Sequence, residues 1–417
     1  MRDLLTRFFR RLLRLFFRRI EIVGLENVPL DRPVIFAANH PNGLVDPLLI
    51  LCFAPRAVSL LAKAPLFRYP IIGYFVRALD SIPVYRKQDK TTGSNQETFA
   101  RARDVLHRGG SIAIFPEGTT HSDPRLRELK TGVSRIALGA QMESIAIVPT
   151  GIYYTAKQTF RSETLVCFGP SIEVKPAAIG EDGDPAADAV LALTAEIEKE
   201  LTGLTLQADS HAALELIGRA ERIFSAGAPQ ALASELDLRR RFVDGYHYLR
   251  ERDPERLEHL ASAVRQFESE LGGARLDPEK LAARVEPIAV VRVLLLFPLA
   301  LIGAAIHYPT YRLVGALSSR FSAGADEMTA TIKFIAALAF YPLTWLAIAL
   351  LIGGIPGLIL IIVLPLLGYV ALQVFEELDE VIGGARALVR RRTRERLVAH
   401  RQLIRDQILA VADTISR

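Results

Sequence analysis

The sequence is 417 residues long, half of them hydrophobic, with a mean hydropathy of +0.23; this leaves room for two or three domains and is more apolar than a soluble protein requires. Its formal charge of +5 hides a sharper pattern: residues 1–20 carry seven Arg against Asp3, residues 386–405 carry eight Arg against Glu395, and the remainder sums to −8. Basic ends beside apolar sequence fit an anionic phospholipid membrane and argue against a nucleic-acid partner, and two cysteines, Cys52 and Cys167, exclude a disulfide framework.

Residues 1–20 form an amphipathic pattern rather than a signal peptide, because Arg interrupts the apolar residues throughout. At 100° per residue, Leu4, Leu5, Phe8, Phe9, Leu12, Leu13, Leu15, Phe16, Phe17 and Ile20 share one wide face, with Arg7, Arg10, Arg11, Arg14 and Arg18 opposite. That pattern predicts a basic helix lying at a membrane interface. Residues 21–208 then alternate short β-prone and helical runs, the mark of an α/β domain. Strands are predicted at 34–38, 57–62, 81–85, 111–115, 145–152 and 165–168, and helices at 47–53, 66–78, 95–108 and 132–141.

Residues 209–286 are helical in pattern, charged, and broken at Gly227-Ala228-Pro229, Asp253-Pro254 and Gly272-Gly273; with no catalytic signature they are predicted to be a helical spacer. A membrane region follows over 287–380. Residues 293–306 are a fourteen-residue uncharged run, short of the roughly 20 residues that span a bilayer, so re-entrant, interfacial and spanning placements all remain open. Residues 334–375 carry no charge over 42 residues and contain Gly353-Gly354-Ile355-Pro356-Gly357 near their middle, which predicts a two-pass hairpin. The basic stretch within 381–417 is expected to be a cytoplasmic helical tail, on the same side as the α/β domain.

Chemistry concentrates in two loops. The run Val34-Ile35-Phe36-Ala37-Ala38 ends at Asn39-His40, and Pro41-Asn42-Gly43-Leu44-Val45 leads to Asp46-Pro47 at a predicted helix start. An imidazole near neutral pH is suited to removing a proton, and a nearby carboxylate can fix its tautomer. No Gly-x-Ser-x-Gly elbow and no cysteine in a nucleophile motif accompany them. The second loop is Phe115-Pro116-Glu117-Gly118-Thr119. Both loops follow predicted strands, and the crevice beyond the carboxyl ends of such strands is where ligands bind in open α/β sheets. His121 lies four residues beyond Glu117 without convincing ligand partners, so no metal is expected, and without G-x-G-x-x-G or Walker A sequences no nucleotide cofactor is implied.

Four blocks in order, Asn39-His40 to Asp46-Pro47, Ile82-Pro83-Val84-Tyr85-Arg86-Lys87, Phe115-Pro116-Glu117-Gly118-Thr119 and Ile147-Val148-Pro149-Thr150-Gly151, resemble the phospholipid/glycerol acyltransferase superfamily over about residues 20–175. The resemblance implies an α/β domain on a mixed twisted sheet and direct transfer of a fatty acyl group from acyl-CoA or acyl carrier protein to a glycerol-phosphate hydroxyl. It implies His40 as general base, Asp46 as its orienting partner, and Arg86, Lys87, Glu117, Gly118, Thr119, Lys130 and Pro149 on the substrate side. The commonest family pattern places four residues between His and Asp, whereas five separate His40 from Asp46. This longer spacing resembles the branch that acylates glycerol 3-phosphate or dihydroxyacetone phosphate. Acylation of lysophosphatidate is the alternative within the superfamily; a non-catalytic lipid-binding membrane protein on the same fold is the alternative outside it.

Overall fold

Strands form where β-branched and apolar residues run together: β1 (Arg19–Val23), β2 (Val34–Ala38), β3 (Val58–Lys63), β4 (Ile82–Val84), β5 (Ser111–Ile114), β6 (Ile145–Tyr154), β7 (Glu163–Phe168) and β8 (Ile172–Val174). The computed structural model describes residues 1–85, 95–180, 183–226, 231–281, 286–322 and 326–415. They divide into two units, residues 1–207 with 325–331, and residues 208–324 with 332–417.

In the first unit the strands make one mixed sheet in the order β1-β7-β6-β2-β5-β3-β4, with β8 also pairing β6. The pairs β1/β7, β6/β2, β2/β5, β5/β3 and β3/β4 are parallel, whereas β7 and β8 run antiparallel to successive halves of β6. Every residue of β2 is buried, so this central strand reads as continuous apolar sequence rather than alternation. Ile35, Ala37, Ile112, Ile114 and Ile147 form one core with Ala102 and Leu106 of α4 (Asn95–His107), Val133 and Ile136 of α5 (Gly132–Gly139), and Val190, Ile197 and Leu201 of α6 (Ala187–Leu204). The predicted helix 66–78 is divided into a 3-10 turn, Ala64–Arg68, and α3 (Pro70–Ala78), because Pro70 favours an extended residue before it and starts a new helix.

The N-terminal helix α1 (Arg2–Phe16) differs from a helix with its whole apolar face in lipid. Phe9, Leu13 and Phe16, with Phe17 just beyond, are buried in this unit, and α1 packs on α2 (Val45–Phe53). Arg10 donates to the Cys52 carbonyl at 2.8 Å. Leu4, Phe8 and Leu15 stay exposed beside Arg7, Arg11 and Arg14. The face divides because one side of it completes the domain core.

The second unit revises two boundaries. The residues expected as a spacer and those expected as a tail share one core: Ile223 of α7 (His211–Ser225) and Val264, Phe267 and Leu271 of α9 (Pro254–Ala274) enclose Leu397 and Ile404 of α13 (Arg391–Ile415), with α8 (Leu232–Arg252) alongside. Arg401 donates to the Ile223 carbonyl at 2.8 Å, so this basic segment is partly built in rather than a free tail. The fourteen-residue run lies inside α10 (Pro287–Phe321), a continuous helix of 35 residues and about 52 Å at 1.5 Å per residue. The predicted hairpin is α11 (Asp326–Ile352) and α12 (Gly354–Val389), broken at Gly353 with φ of 66°. All three helices are long and apolar enough to cross a membrane, and Leu351, Ile355 and Leu294 lie largely exposed on them, which marks a membrane-associated chain.

Close approach and polar pairing hold these helices. A Cβ on Gly303 would lie 2.3 Å from the Leu367 carbonyl oxygen, so α10 and α12 meet backbone to backbone only because residue 303 has no side chain. His307 donates from Nδ1 to the Gly303 carbonyl at 2.7 Å and accepts the Trp345 indole N–H at 2.9 Å, and Thr310 bonds Thr344 at 2.7 Å. Gly303→Leu is expected to destabilise this unit by about 3 kcal/mol, since backbone cannot yield as a side-chain tip can; a fall in the unfolding midpoint in detergent measures it, and an unchanged midpoint would contradict the close packing.

Candidate active site

The two loops of the sequence meet at the carboxyl ends of β2 and β5. Asn39, one residue past β2, locks the exit geometry by accepting from the Ile152 N–H at 2.7 Å and donating to the Ile152 carbonyl at 3.0 Å on β6. The next residue, His40, donates its backbone N–H to Glu117 Oε1 at 2.9 Å and stacks its ring on Phe115, centroids 4.0 Å apart and planes 17° apart. Its Nδ1 lies 2.9 Å from Asp46 Oδ2. A carboxylate there accepts from Nδ1–H and so leaves the Nε2 lone pair available; no described residue hydrogen-bonds Nε2.

Asp46 sits in the first turn of α2, fully buried, yet it does not cap that helix. Its Oδ2 also accepts the Asn42 N–H at 2.6 Å, and its Oδ1 accepts the Tyr154 hydroxyl at 2.5 Å. Burial pushes the Asp46 carboxyl above the usual range, while the His40, Tyr154 and Asn42 donors pull it back. The Tyr154 hydroxyl is raised well above its ordinary value by burial and by the Asp46 charge, and therefore remains a donor. The turn between His40 and Asp46 is tied further by Thr331, whose hydroxyl accepts from the Leu44 N–H and donates to Asn42 Oδ1, both at 3.2 Å.

Glu117 is buried, with both oxygens engaged. Beside the His40 N–H on Oε1, its Oε2 accepts the Arg127 N–H at 3.1 Å and the Nε2–H of His121. His121 Nδ1 accepts the Asp123 N–H at 3.1 Å, which fixes the tautomer, and the His121 N–H reaches the His40 carbonyl at 3.3 Å. Gly118 follows with φ of 71°, a conformation favouring glycine, and its missing Cβ leaves room for the Lys130 side chain, which lies over it. The Lys130 N–H bonds the Pro116 carbonyl at 2.8 Å, so Glu117, Gly118, Thr119 and Lys130 come together with His40 and Asp46. Pro149 is buried within β6 opposite Ala37, in the sheet rather than in either loop. Arg86 and Lys87 lie outside the described residues.

The sequence reading missed several partners. Tyr154 and Thr331 carry no motif, Asn42 and Phe115 lie inside the two blocks without a role having been read for them, and His121, set aside as a metal ligand, is the hydrogen-bond partner of Glu117. Burial pushes the Cys52 thiol up to about 12, which removes it as a nucleophile. The site therefore offers an oriented imidazole, and among the described residues no hydroxyl or thiol is hydrogen-bonded to that ring.

The Acyltransferase family model matches residues 19–153. Glycerol-3-phosphate O-acyltransferase 2 of Saccharomyces cerevisiae is 30% identical over 192 residues, 45% of this chain and 26% of that protein. Glycerol-3-phosphate O-acyltransferase 1 of the same yeast is 25% identical over 454 residues, 81% of this chain and 59% of that protein. The chain thus spans less than two thirds of either yeast relative. A chloroplastic 1-acyl-sn-glycerol-3-phosphate acyltransferase of Arabidopsis thaliana is 30% identical over 142 residues, 34% of this chain and 38% of that one. The crystal structure of a Thermotoga maritima 1-acyl-sn-glycerophosphate acyltransferase covers 48% of this chain and 78% of its own at 20% identity and a TM-score of 0.36, too slight a likeness to add to the sheet described above. Residues 19–153 thus match an Acyltransferase domain, and the relatives named above are glycerolipid acyltransferases.

Proposed function

We propose that this protein is an O-acyltransferase that moves a fatty acyl group from acyl-CoA or acyl carrier protein to a hydroxyl of glycerol 3-phosphate in phospholipid synthesis. The observation that carries this reading is the His40 ring, held on Nδ1 by a buried carboxylate with Nε2 unengaged. Nε2 takes the acceptor hydroxyl proton as the oxygen attacks the thioester carbonyl; the carbon–sulfur bond breaks, and the imidazolium returns the proton to the departing thiolate. Asp46 stabilises the imidazolium between those steps. No protein-bound acyl intermediate forms and no cofactor is needed beyond the co-substrate.

The Glu117 loop supports the acceptor side: Gly118 permits close backbone approach, Thr119 supplies a hydroxyl, and the Lys130 ammonium lies over Gly118, placed for a phosphate. Glu117 oxygens retain lone pairs for a glycerol hydroxyl, Arg86 and Lys87 add charge, and Pro149 shapes the strand behind the pocket. Glycerol 3-phosphate is favoured by the five-residue His-to-Asp spacing and by the names of the two yeast relatives. The catalytic unit is placed on the cytoplasmic face of an anionic membrane, where Arg-rich segments are retained.

The test is acyl transfer by the full chain in detergent, with labelled acyl-CoA or acyl carrier protein offered to glycerol 3-phosphate, dihydroxyacetone phosphate and lysophosphatidate. Transfer to glycerol 3-phosphate is expected. Transfer only to lysophosphatidate would replace the acceptor and keep the chemistry; no transfer with any pair would overturn the reading in favour of a lipid-binding protein.

A further inference from the structure

We propose that Tyr154 is a positioning residue for His40, its hydroxyl fixing the Asp46 carboxylate so that the other oxygen meets Nδ1. This rests on His40 being the base of an acyl transfer. Tyr154 ends β6, and its ring is wedged between two elements: it stacks on Phe17, centroids 5.8 Å apart and planes 29° apart, while its hydroxyl reaches Asp46 Oδ1 at 2.5 Å. Asp46 can therefore turn only by losing a bond. If Oδ1 swings toward His40, the partly buried Tyr154 loses its acceptor on the fully buried Asp46; if Oδ2 leaves, the Asn42 N–H and Nδ1–H lose theirs. The carboxylate is clamped from β6, from the loop and from the imidazole at once, and the ring of His40 takes its angle from that clamp and from the face of Phe115.

The sign of the electrostatic effect follows from the same geometry. The charged and titratable groups facing the pair are Tyr154 on Asp46, and Glu117 with His121 on the His40 backbone. A donated O–H disperses the negative charge of Asp46. Removing it makes the His40–Asp46 pair hold a proton more tightly whichever member carries it: a protonated Asp46 loses a competitor, and an imidazolium gains a stronger counter-charge. The base would then be lost at a higher pH on acidification.

Tyr154→Phe keeps the ring and its stack on Phe17 and deletes only the hydroxyl. In the full chain in detergent we expect kcat to fall about tenfold with KM for donor and acceptor little changed, and the acid limb of kcat/KM to move to higher pH. An unchanged kcat with an unchanged acid limb would overturn the proposal. So would a lower kcat accompanied by a lower unfolding midpoint and an unmoved acid limb, since a merely structural tyrosine would do that. The same variant is read without turnover by nitrogen NMR of labelled histidine, with the His40 signal assigned by its loss in His40→Ala. The His40 ring should titrate at higher pH in Tyr154→Phe than in the parent. If the parent transfers no acyl group, the functional reading fails, and a moved His40 titration still sustains the clamp; an unmoved titration defeats the clamp whatever the activity.

Discussion

His40→Ala is expected to lower kcat by about 10² to 10⁴-fold while the protein still folds and enters detergent micelles, because the proposed mechanism makes the lost group the proton acceptor. Folding should survive because the loop is held by its backbone and its neighbours rather than by the ring: Asn39 is locked to Ile152, and the His40 N–H is bonded to Glu117. Steady-state rates beside an unfolding midpoint check both halves. A parent-like rate would remove His40 from the mechanism, whereas a collapsed midpoint would show that the stack on Phe115 carries the loop.

Asp46→Asn is the second large effect, and its geometry gives it a particular form. The amide oxygen belongs at the Oδ2 place, where it accepts both the Asn42 N–H and the His40 Nδ1–H, and the amide nitrogen then faces the Tyr154 oxygen. The tautomer is kept and the charge is lost. The imidazolium formed during transfer has no counter-charge in a buried site, and kcat should fall about 10² to 10³-fold. The pH dependence separates this from Tyr154→Phe. Burial holds Asp46 above the ordinary carboxylate range, so in the parent the pair takes up its proton earlier on acidification than an exposed carboxylate would. Without the carboxylate His40 binds that proton less tightly, and the acid limb should move to lower pH, opposite to the tyrosine variant. The double variant with His40→Ala should be no slower than His40→Ala alone, since the two residues act as one unit; a further large loss would assign Asp46 a separate task.

What sequence reveals depends on whether a residue's partners lie near it along the chain. Strands β2, β5 and β6 lie within two residues of their predicted ends because each is a long apolar run closed by turn residues. β1 was hidden behind the arginines of α1: Ile20 and Ile22 alternate with Arg19 and Glu21, and their pairing partner, β7, begins at Glu163. β8 is three residues long, too short for any pattern. The uncharged run 293–306 is only the middle of α10, because charge does not end that helix at Arg292. Its charge is met by Glu377 on α12, so the helix continues through it. His307 is likewise satisfied inside the helix group by Gly303 and Trp345. In the site, His40, Asp46 and Glu117 were readable because each sits in a compact block of a family pattern. Tyr154 and Thr331 were not, since a tyrosine ending a strand and a threonine starting a helix gain meaning only from the register and packing that bring them to Asp46 and Asn42.

The hydrogen bond from Leu44 to Thr331 joins residues 287 positions apart, and this imposes an order in time. A nascent chain has every strand of the sheet once β8 has emerged, yet the turn between His40 and Asp46 still lacks one of its ties. At about 5–20 residues per second, synthesis of the 157 residues from Val174 at the end of β8 to Thr331 occupies about 8 to 31 seconds. During that interval the growing polypeptide displays a formed sheet with an incomplete turn, and the tie closes only after α10 has been made. The turn between His40 and Asp46 is thus finished late, when the long apolar helices of the second unit are already being produced.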